Sequence, residues 1–130
     1  MIRLGNDLCS PLRIEKIYKR FGAKFLQRVL TKEEVEDLMS QQSRKLFIHR
    51  FAGRYAAKEA IAKLFGTGIG KKLSFQDIQV IRCPDSGMPK VKLSGKAQKL
   101  AEELSIKEIQ VSISHEDTMV LATAVASTSL

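Results

Sequence analysis

Three groups of residues in this chain are placed where they can act on a ligand: charged side chains set among small ones, a run of glycines, and a dense cluster of bases. In residues 51–70, FAGRYAAKEAIAKLFGTGIG, Glu59 and Lys63 share a helical strip with Ala52 and Ala56, because residues four apart lie on one face of an α-helix. Two charges beside two side chains too small to cover them leave room for a ligand. The same spacing suits an i, i+4 ion pair on a solvated face, which stabilises a helix by only ~0.3 to 0.5 kcal/mol, so spacing alone leaves both readings open. Asp7 stands near the end of an opening strand, where an aspartate also serves as a turn residue or helix N-cap. Gly66-Thr67-Gly68-Ile69-Gly70 has the composition of a phosphate loop, but such loops precede a helix and aim its free amides at the anion. This run follows its helix and reads as a cap and a flexible turn.

Other chemistries find no footing. Cys9 and Cys83 have no C-x-x-C spacing and no Cys/His cluster around them, which disfavours a zinc site or a redox pair and leaves two reduced structural thiols. Ser114 and His115 do not make a serine hydrolase, since there is no G-x-S-x-G elbow and adjacent strand residues point to opposite faces. His49 reads as a surface or boundary residue.

Elements that must position these residues follow from periodicity. Residues 2–8 read as a strand that loosens at Gly5. From Pro11 the pattern turns helical, with Ile14, Ile17, Tyr18, Phe21 and Phe25 on one side and Gly22 as a break. Thr31 and Glu34 fit a capping box opening a second helix that runs to about Gln42. The long helix carries Ala57, Ala60, Ile61 and Leu64 on one buried side and Phe51, Tyr55, Ala62 and Phe65 on another, and ends near Phe65 because Gly66 enters the left-handed cap without a Cβ penalty. Residues 73–81 alternate as a strand, residues 83–89 have turn chemistry, and residues 90–93 return as a hairpin partner. Ser94 caps a short helix. Residues 109–114 and 118–126 form a last hairpin, and 127–130 a loose tail. The run from Met119 to Ala126 is apolar at nearly every position, which predicts burial on both faces and hence association between copies of the chain. The expected fold is α+β: one antiparallel sheet with helices packed on it, in a small single domain spanning 1–130.

With 22 Lys and Arg against 14 Asp and Glu, the net charge is +8, which implies a polyanionic partner without choosing among nucleic acid, acidic protein, anionic lipid and a phosphorylated small molecule. The basicity is concentrated between Arg13 and Arg28, where six bases face the single acid Glu15. A nucleic-acid module would explain the charge, yet the chain lacks aromatic stacking patterns and recognisable binding motifs, and that reading leaves Asp7, Glu59 and the glycine turn unused. No stretch has the apolar length of a membrane span and no signal peptide opens the chain, so a cytoplasmic protein without membrane partners is expected.

Taken together, Gly5-x-Asp7, Arg28-Val29-Leu30-Thr31 with Glu34, Phe51-Ala52-Gly53-Arg54-Tyr55-Ala56-Ala57-Lys58-Glu59-Ala60, Lys63, Gly66-Thr67-Gly68-Ile69-Gly70, Gly87-x-Pro89 and Ser112-Ile113-Ser114-His115 closely resemble the holo-acyl-carrier-protein synthases. The match spans nearly the whole chain in order. It implies a fold of the 4'-phosphopantetheinyl transferase type and transfer of the 4'-phosphopantetheine arm of coenzyme A to a serine of acyl carrier protein, in support of fatty acid biosynthesis. It also implies a small cytosolic homotrimer with coenzyme A held between neighbouring subunits. By resemblance Asp7 and Glu59 bind Mg2+, Glu59 and Lys63 are catalytic, and Arg54, Lys63, Gly66, Thr67, Gly68, Pro89 and His115 contact coenzyme A. Arg13, Arg20, Lys24 and Arg28 would meet the acidic carrier. Two carboxylates suffice for Mg2+, which keeps waters and phosphate oxygens in its other positions. Glu59 and a metal-bound water are both candidates to take the serine's proton. Asn6 and Ser10 depart from the family pattern, where an apolar residue and a glutamate are usual; the first bears on strand packing and the second on contacts around the metal.

Overall fold

The computed structural model describes residues 1–40 and 43–129. β1 (Ile2–Cys9) leads through α1 (Pro11–Phe21), α2 (Ala23–Val29) and α3 (Lys32–Met39) into the long α4 (Arg44–Phe65). A 3-10 turn (Phe75–Asp77), β2 (Ile78–Arg82), β3 (Pro89–Leu93), α5 (Gly95–Glu103), β4 (Ile106–His115) and β5 (Val120–Thr128) complete the order. β1, β5 and β4 form a three-stranded antiparallel sheet in that spatial order, and β2 and β3 a separate hairpin. The α+β expectation holds, but with two sheets in place of one.

α4 is the axis of the core. Most of it is buried: from Phe47 to Phe65 only Lys63 is exposed, and His49, Arg50, Tyr55 and Glu59 are half-buried, because apolar and small residues occupy most of its circumference. The Ser43 hydroxyl accepts from the Leu46 amide at its start, and Gly66 closes it at φ 84°. It begins two turns before Phe51 because Leu46, Phe47 and Ile48 continue the periodic pattern. Phe25 of α2 stacks on Phe51 with centroids 5.1 Å apart, and Tyr18 of α1 meets Phe51 and Phe47 at steeper angles, fixing α1 and α2 against α4 by contacts worth ~0.5 to 1.5 kcal/mol each beyond burial.

Local signals set most boundaries. Gly22, at φ 59°, breaks the first helical stretch in two. The Thr31 and Glu34 capping box is present in both directions. The helix it opens ends at Met39, and the expected terminus at Gln42 lies outside the described residues. The strand expected over 73–81 starts only at Ile78: Asp77 N–H donates to Ser74 O, and the Phe75 carbonyl is drawn inward to the Lys58 ammonium at 3.1 Å, which bends the chain into the 3-10 turn. The expected loose tail is instead ordered as far as it is described, since Ser127 pairs with Ile2, Thr128 N–H donates to Met1 O and Ser129 N–H to Ser105 O. Leu130 lies outside the described residues.

The apolar run of β5 is not buried on both faces within the chain. Val120, Ala122, Ala124 and Ala126 point into the core, whereas Leu121 is 40% exposed and Thr123 and Val125 are half-buried. On the neighbouring strand Ile2, Leu4 and Leu8 also face outward, at 73%, 60% and 60% exposure. The paired positions Leu4 with Val125 and Leu8 with Leu121 make two apolar patches on the outer face, with the polar pair Asn6 and Thr123 between them.

Candidate active site

β1 and α4 bring the acids together. The inward face of β1 reads Arg3, Gly5, Asp7 and Cys9, and Gly5 allows the strand to lie directly on the helix backbone. A Cβ there would stand 2.1 Å from the Ala60 carbonyl oxygen and 2.7 Å from the Leu64 amide nitrogen. Asp7, two residues on, therefore reaches α4 beside Lys63, whose ammonium donates to Asp7 Oδ1 at 3.0 Å and to the Asn6 carbonyl at 3.0 Å. Asp7 is thus not the N-cap of α1; Ser10 is, its hydroxyl accepting from the Arg13 amide. The Asn6 side chain lies on the exposed outer face and leaves the packing of β1 on α4 undisturbed.

Glu59 lies one helical turn before Lys63. Burial first, and then the Asp7 carboxylate, raise its pKa above the ordinary glutamate value, opposed by Lys63, by Arg13 and by a hydrogen bond from Tyr55. Two carboxylates that repel across a half-exposed gap form a pair that a hard divalent cation relieves. Among the described residues no group of three or more His, Cys, Asp or Glu could enclose a metal. An ion held by Asp7 and Glu59 would complete its shell with water and phosphate oxygens, which suits Mg2+. The expected opening over Ala52 and Ala56 is filled, both being fully buried. On this strip only Glu59, half-buried, and Lys63, exposed, reach the surface, near the end of α4 marked by Gly66, Thr67 and Gly68.

A second set of the expected residues gathers elsewhere. Arg54, Pro89 and His115 line a cleft of about 220 Å3 between α4, the β2–β3 hairpin and β4, whose walls also include His49, Arg50, Arg82 and Gly87. Arg54 is 6% exposed, and its guanidinium donates to the Val80 carbonyl at 2.9 Å and pairs with Asp37, so it forms a fixed positive wall. Burial, and then the Arg82 charge, lower the Arg50 pKa; three arginines and two histidines make the cleft receptive to an anion. His49 stacks edge-on to His115 at 6.2 Å, and its ring nitrogens face the Lys45 and Asp117 carbonyls. With the Lys45–Asp117 ion pair at 3.1 Å, these contacts hold the β4–β5 turn against α4. Arg50 was legible as the residue one turn before Arg54, whereas Arg82 arrives from β2 and carries no local signal. Asp7, Glu59 and Lys63 are not among the residues lining this cleft, so within one chain the expected site residues fall into two clusters.

Arg13, Arg20, Lys24 and Arg28 are all exposed on α1 and α2, and Arg13 is close enough to Glu59 to act on its charge. The basic face thus borders the carboxylate pair.

A sequence profile of the 4'-phosphopantetheinyl transferase superfamily matches residues 3–124. The chain is 40% identical over 125 residues to a holo-[acyl-carrier-protein] synthase of Natranaerobius thermophilus, covering 96% of each. It is similar to the crystal structure of the corresponding synthase from Neisseria meningitidis, with a TM-score of 0.89 at 36% identity over 98% of this chain and 100% of that one. The Helicobacter pylori synthase in complex with coenzyme A gives a TM-score of 0.82 at 36% identity over 95% and 99%. Agreement in sequence and fold over almost the entire length places this chain in the 4'-phosphopantetheinyl transferase superfamily.

Proposed function

We propose that this chain is a holo-acyl-carrier-protein synthase: it moves the 4'-phosphopantetheine arm of coenzyme A onto a serine of apo acyl carrier protein and releases adenosine 3',5'-bisphosphate, in support of fatty acid biosynthesis. The observation that carries this reading is the 3.0 Å contact of Asp7 from β1 with Lys63 from α4, one helical turn from Glu59 and beside a basic helical face. In the reaction the serine oxygen attacks the phosphorus that bears the pantetheine arm, the bond to the bridging oxygen of the pyrophosphate breaks, and the hydroxyl proton passes to Glu59 or to water. Asp7 and Glu59 would hold Mg2+, which when bound supplies positive charge against the pyrophosphate and the departing phosphate. Lys63 is 52% exposed at its side chain and can swing its ammonium from Asp7 to the phosphates. Alignment and fixed charge then supply most of the rate.

The coenzyme is proposed to lie between copies of the chain, its phosphates at Lys63, Gly66, Thr67 and Gly68 of one subunit and its nucleotide end in the Arg54, Pro89 and His115 cleft of the next. The separation of these two clusters within one chain supports this, and the exposed apolar face of Ile2, Leu4, Leu8 and Leu121 supports a homotrimer. Arg13, Arg20, Lys24 and Arg28 receive the acidic carrier and govern encounter and orientation. Residues 1–130 act as one catalytic domain. Among the described residues no helix is long and apolar enough to cross a membrane, and we place the enzyme in the cytoplasm.

The test is to mix the protein with coenzyme A, Mg2+ and apo acyl carrier protein and to read the added arm by mass spectrometry. Transfer should stop with a chelator and return with Mg2+. Asp7→Ala and Glu59→Ala should each abolish it while the circular dichroism spectrum is kept. Full transfer by either variant would remove the carboxylate pair from the mechanism.

A further inference from the structure

The proposed phosphate cradle sits at the electrostatically unfavourable end of its helix. The carboxyl end of an α-helix carries about half a negative charge, from carbonyls that no further turn satisfies, and anions prefer the opposite end. Gly66, Thr67 and Gly68 follow the last turn of α4, so a pyrophosphate placed there would meet those carbonyls.

The hydrogen bonds of this helix end account for all four of its final carbonyls. Ala62 O accepts from the Gly66 and Gly68 amides at 3.1 and 3.3 Å, and Lys63 O accepts from Gly66 at 3.0 Å. The remaining two, Leu64 O and Phe65 O, accept from a single side chain on another element: Arg3 of β1 donates through Nε at 2.8 Å and through Nη2 at 3.0 Å. Nη2 lies 3.5 Å from the position a Cβ would take at Gly66. A guanidinium fork is suited to two neighbouring oxygens and keeps its charge at any ordinary pH. It is half-buried at the base of the glycine turn, on the strand that also delivers Asp7.

We infer that Arg3 is a positioning residue for the coenzyme. By closing the last carbonyls of α4 and placing a full positive charge there, it converts an anion-repelling helix end into one that accepts the phosphates, and it fixes the Gly66 to Gly68 backbone that receives them. This rests on the proposed assignment of that turn to coenzyme A. Lys63 meets the phosphates from the helix surface, while Arg3 acts from beneath through the turn.

The experiment compares wild type, Arg3→Gln and Arg3→Lys by calorimetric titration with coenzyme A and with adenosine 3',5'-bisphosphate at low and high salt, alongside steady-state transfer. Arg3→Gln should weaken binding of both ligands about five- to tenfold, as expected for loss of a charge at a partly buried helix end. The rise should appear in KM for coenzyme A more than in kcat, and the KM for carrier should change little. The gap from wild type should narrow at high salt, and Arg3→Lys, which restores the charge, should recover most of the affinity. Unchanged coenzyme affinity in Arg3→Gln overturns the inference, as does a loss that ignores salt and is not rescued by lysine. If Arg3→Gln does not fold, Arg3→Lys decides alone: affinity within about threefold of wild type supports the role of charge, and a loss of tenfold or more overturns it. A wild-type chain that neither binds coenzyme A nor modifies the carrier removes the proposed function itself, which a failure confined to the variants would not do.

Discussion

Gly5→Ala is the smallest change that should disable the site without touching a charged group. The added methyl would lie 2.1 Å from the Ala60 carbonyl oxygen and 2.7 Å from the Leu64 amide nitrogen, against an ordinary contact of 3.4 Å or more. Both are backbone atoms inside a helix buried on nearly all sides, so no side chain can turn away, and β1 must lift from α4 by roughly 1 Å. Arg3 and Asp7 ride on the same face of β1 at two residues either side of Gly5. Lifting the strand therefore stretches the Arg3 bonds to Leu64 and Phe65 and the 3.0 Å contact of Asp7 with Lys63 together. Overpacking alone costs about 1 to 3 kcal/mol, and weakening charge-assisted hydrogen bonds adds about 1.5 kcal/mol or more. A displacement of about 1 Å between catalytic groups typically lowers the rate about a hundredfold. The assay is urea unfolding together with mass-spectrometric transfer, at a temperature where circular dichroism shows the variant folded. The expected result is an unfolding free energy lowered by at least about 2 kcal/mol and transfer reduced well beyond the loss of folded protein. Gly70→Ala is the control, because no atom lies within 4 Å of its added Cβ. A Gly5→Ala protein with wild-type midpoint and turnover would refute the placement of β1 against the α4 backbone, and with it the reason for the Gly5-x-Asp7 spacing.

Three other predictions follow from separate parts of the fold. Lys58 is fully buried, and its ammonium donates to Glu34, Val29 O and Phe75 O at 2.6, 2.7 and 3.1 Å; Lys58→Met should therefore destabilise the chain by about 3 to 5 kcal/mol in urea unfolding, and adding Glu34→Gln should recover part of the loss by removing a buried charge left with only the longer Arg54 pair at 3.9 Å. Charge reversal at Arg13 and Lys24 should raise the KM for carrier about tenfold at low salt, far more than it weakens coenzyme A binding, and the effect should fade as salt is added; equal loss of both would defeat the docking assignment. Leu121→Asp, on the apolar outer face of the sheet, should yield a folded monomer by sedimentation with transfer lost, whereas an unchanged oligomer would show that this face is not the contact between copies.

What the sequence determined by itself was everything set by neighbours within a turn or two of chain. The break at Gly22, the Thr31 and Glu34 box, the stop at Gly66 and the final hairpin all arise from local sterics and local hydrogen bonds, and all are present. The family was legible too, because its motifs recur in order along the chain. Only the tertiary structure decided which side of each element meets which. Period-two alternation marked β1 as a strand but gave no sign that its polar face, Arg3, Gly5 and Asp7, would turn inward while Ile2, Leu4 and Leu8 faced out. Helical spacing placed Glu59 beside Lys63, yet Lys63 turns to Asp7, 56 residues away. Glu34 read as half of a capping box and is also the buried partner of Lys58. Arg82 reaches the cleft only because the β2–β3 hairpin folds over α4. In each case the deciding contact joins groups far apart in sequence, whose energy depends on packing and charge across space, and local periodicity carries no record of that.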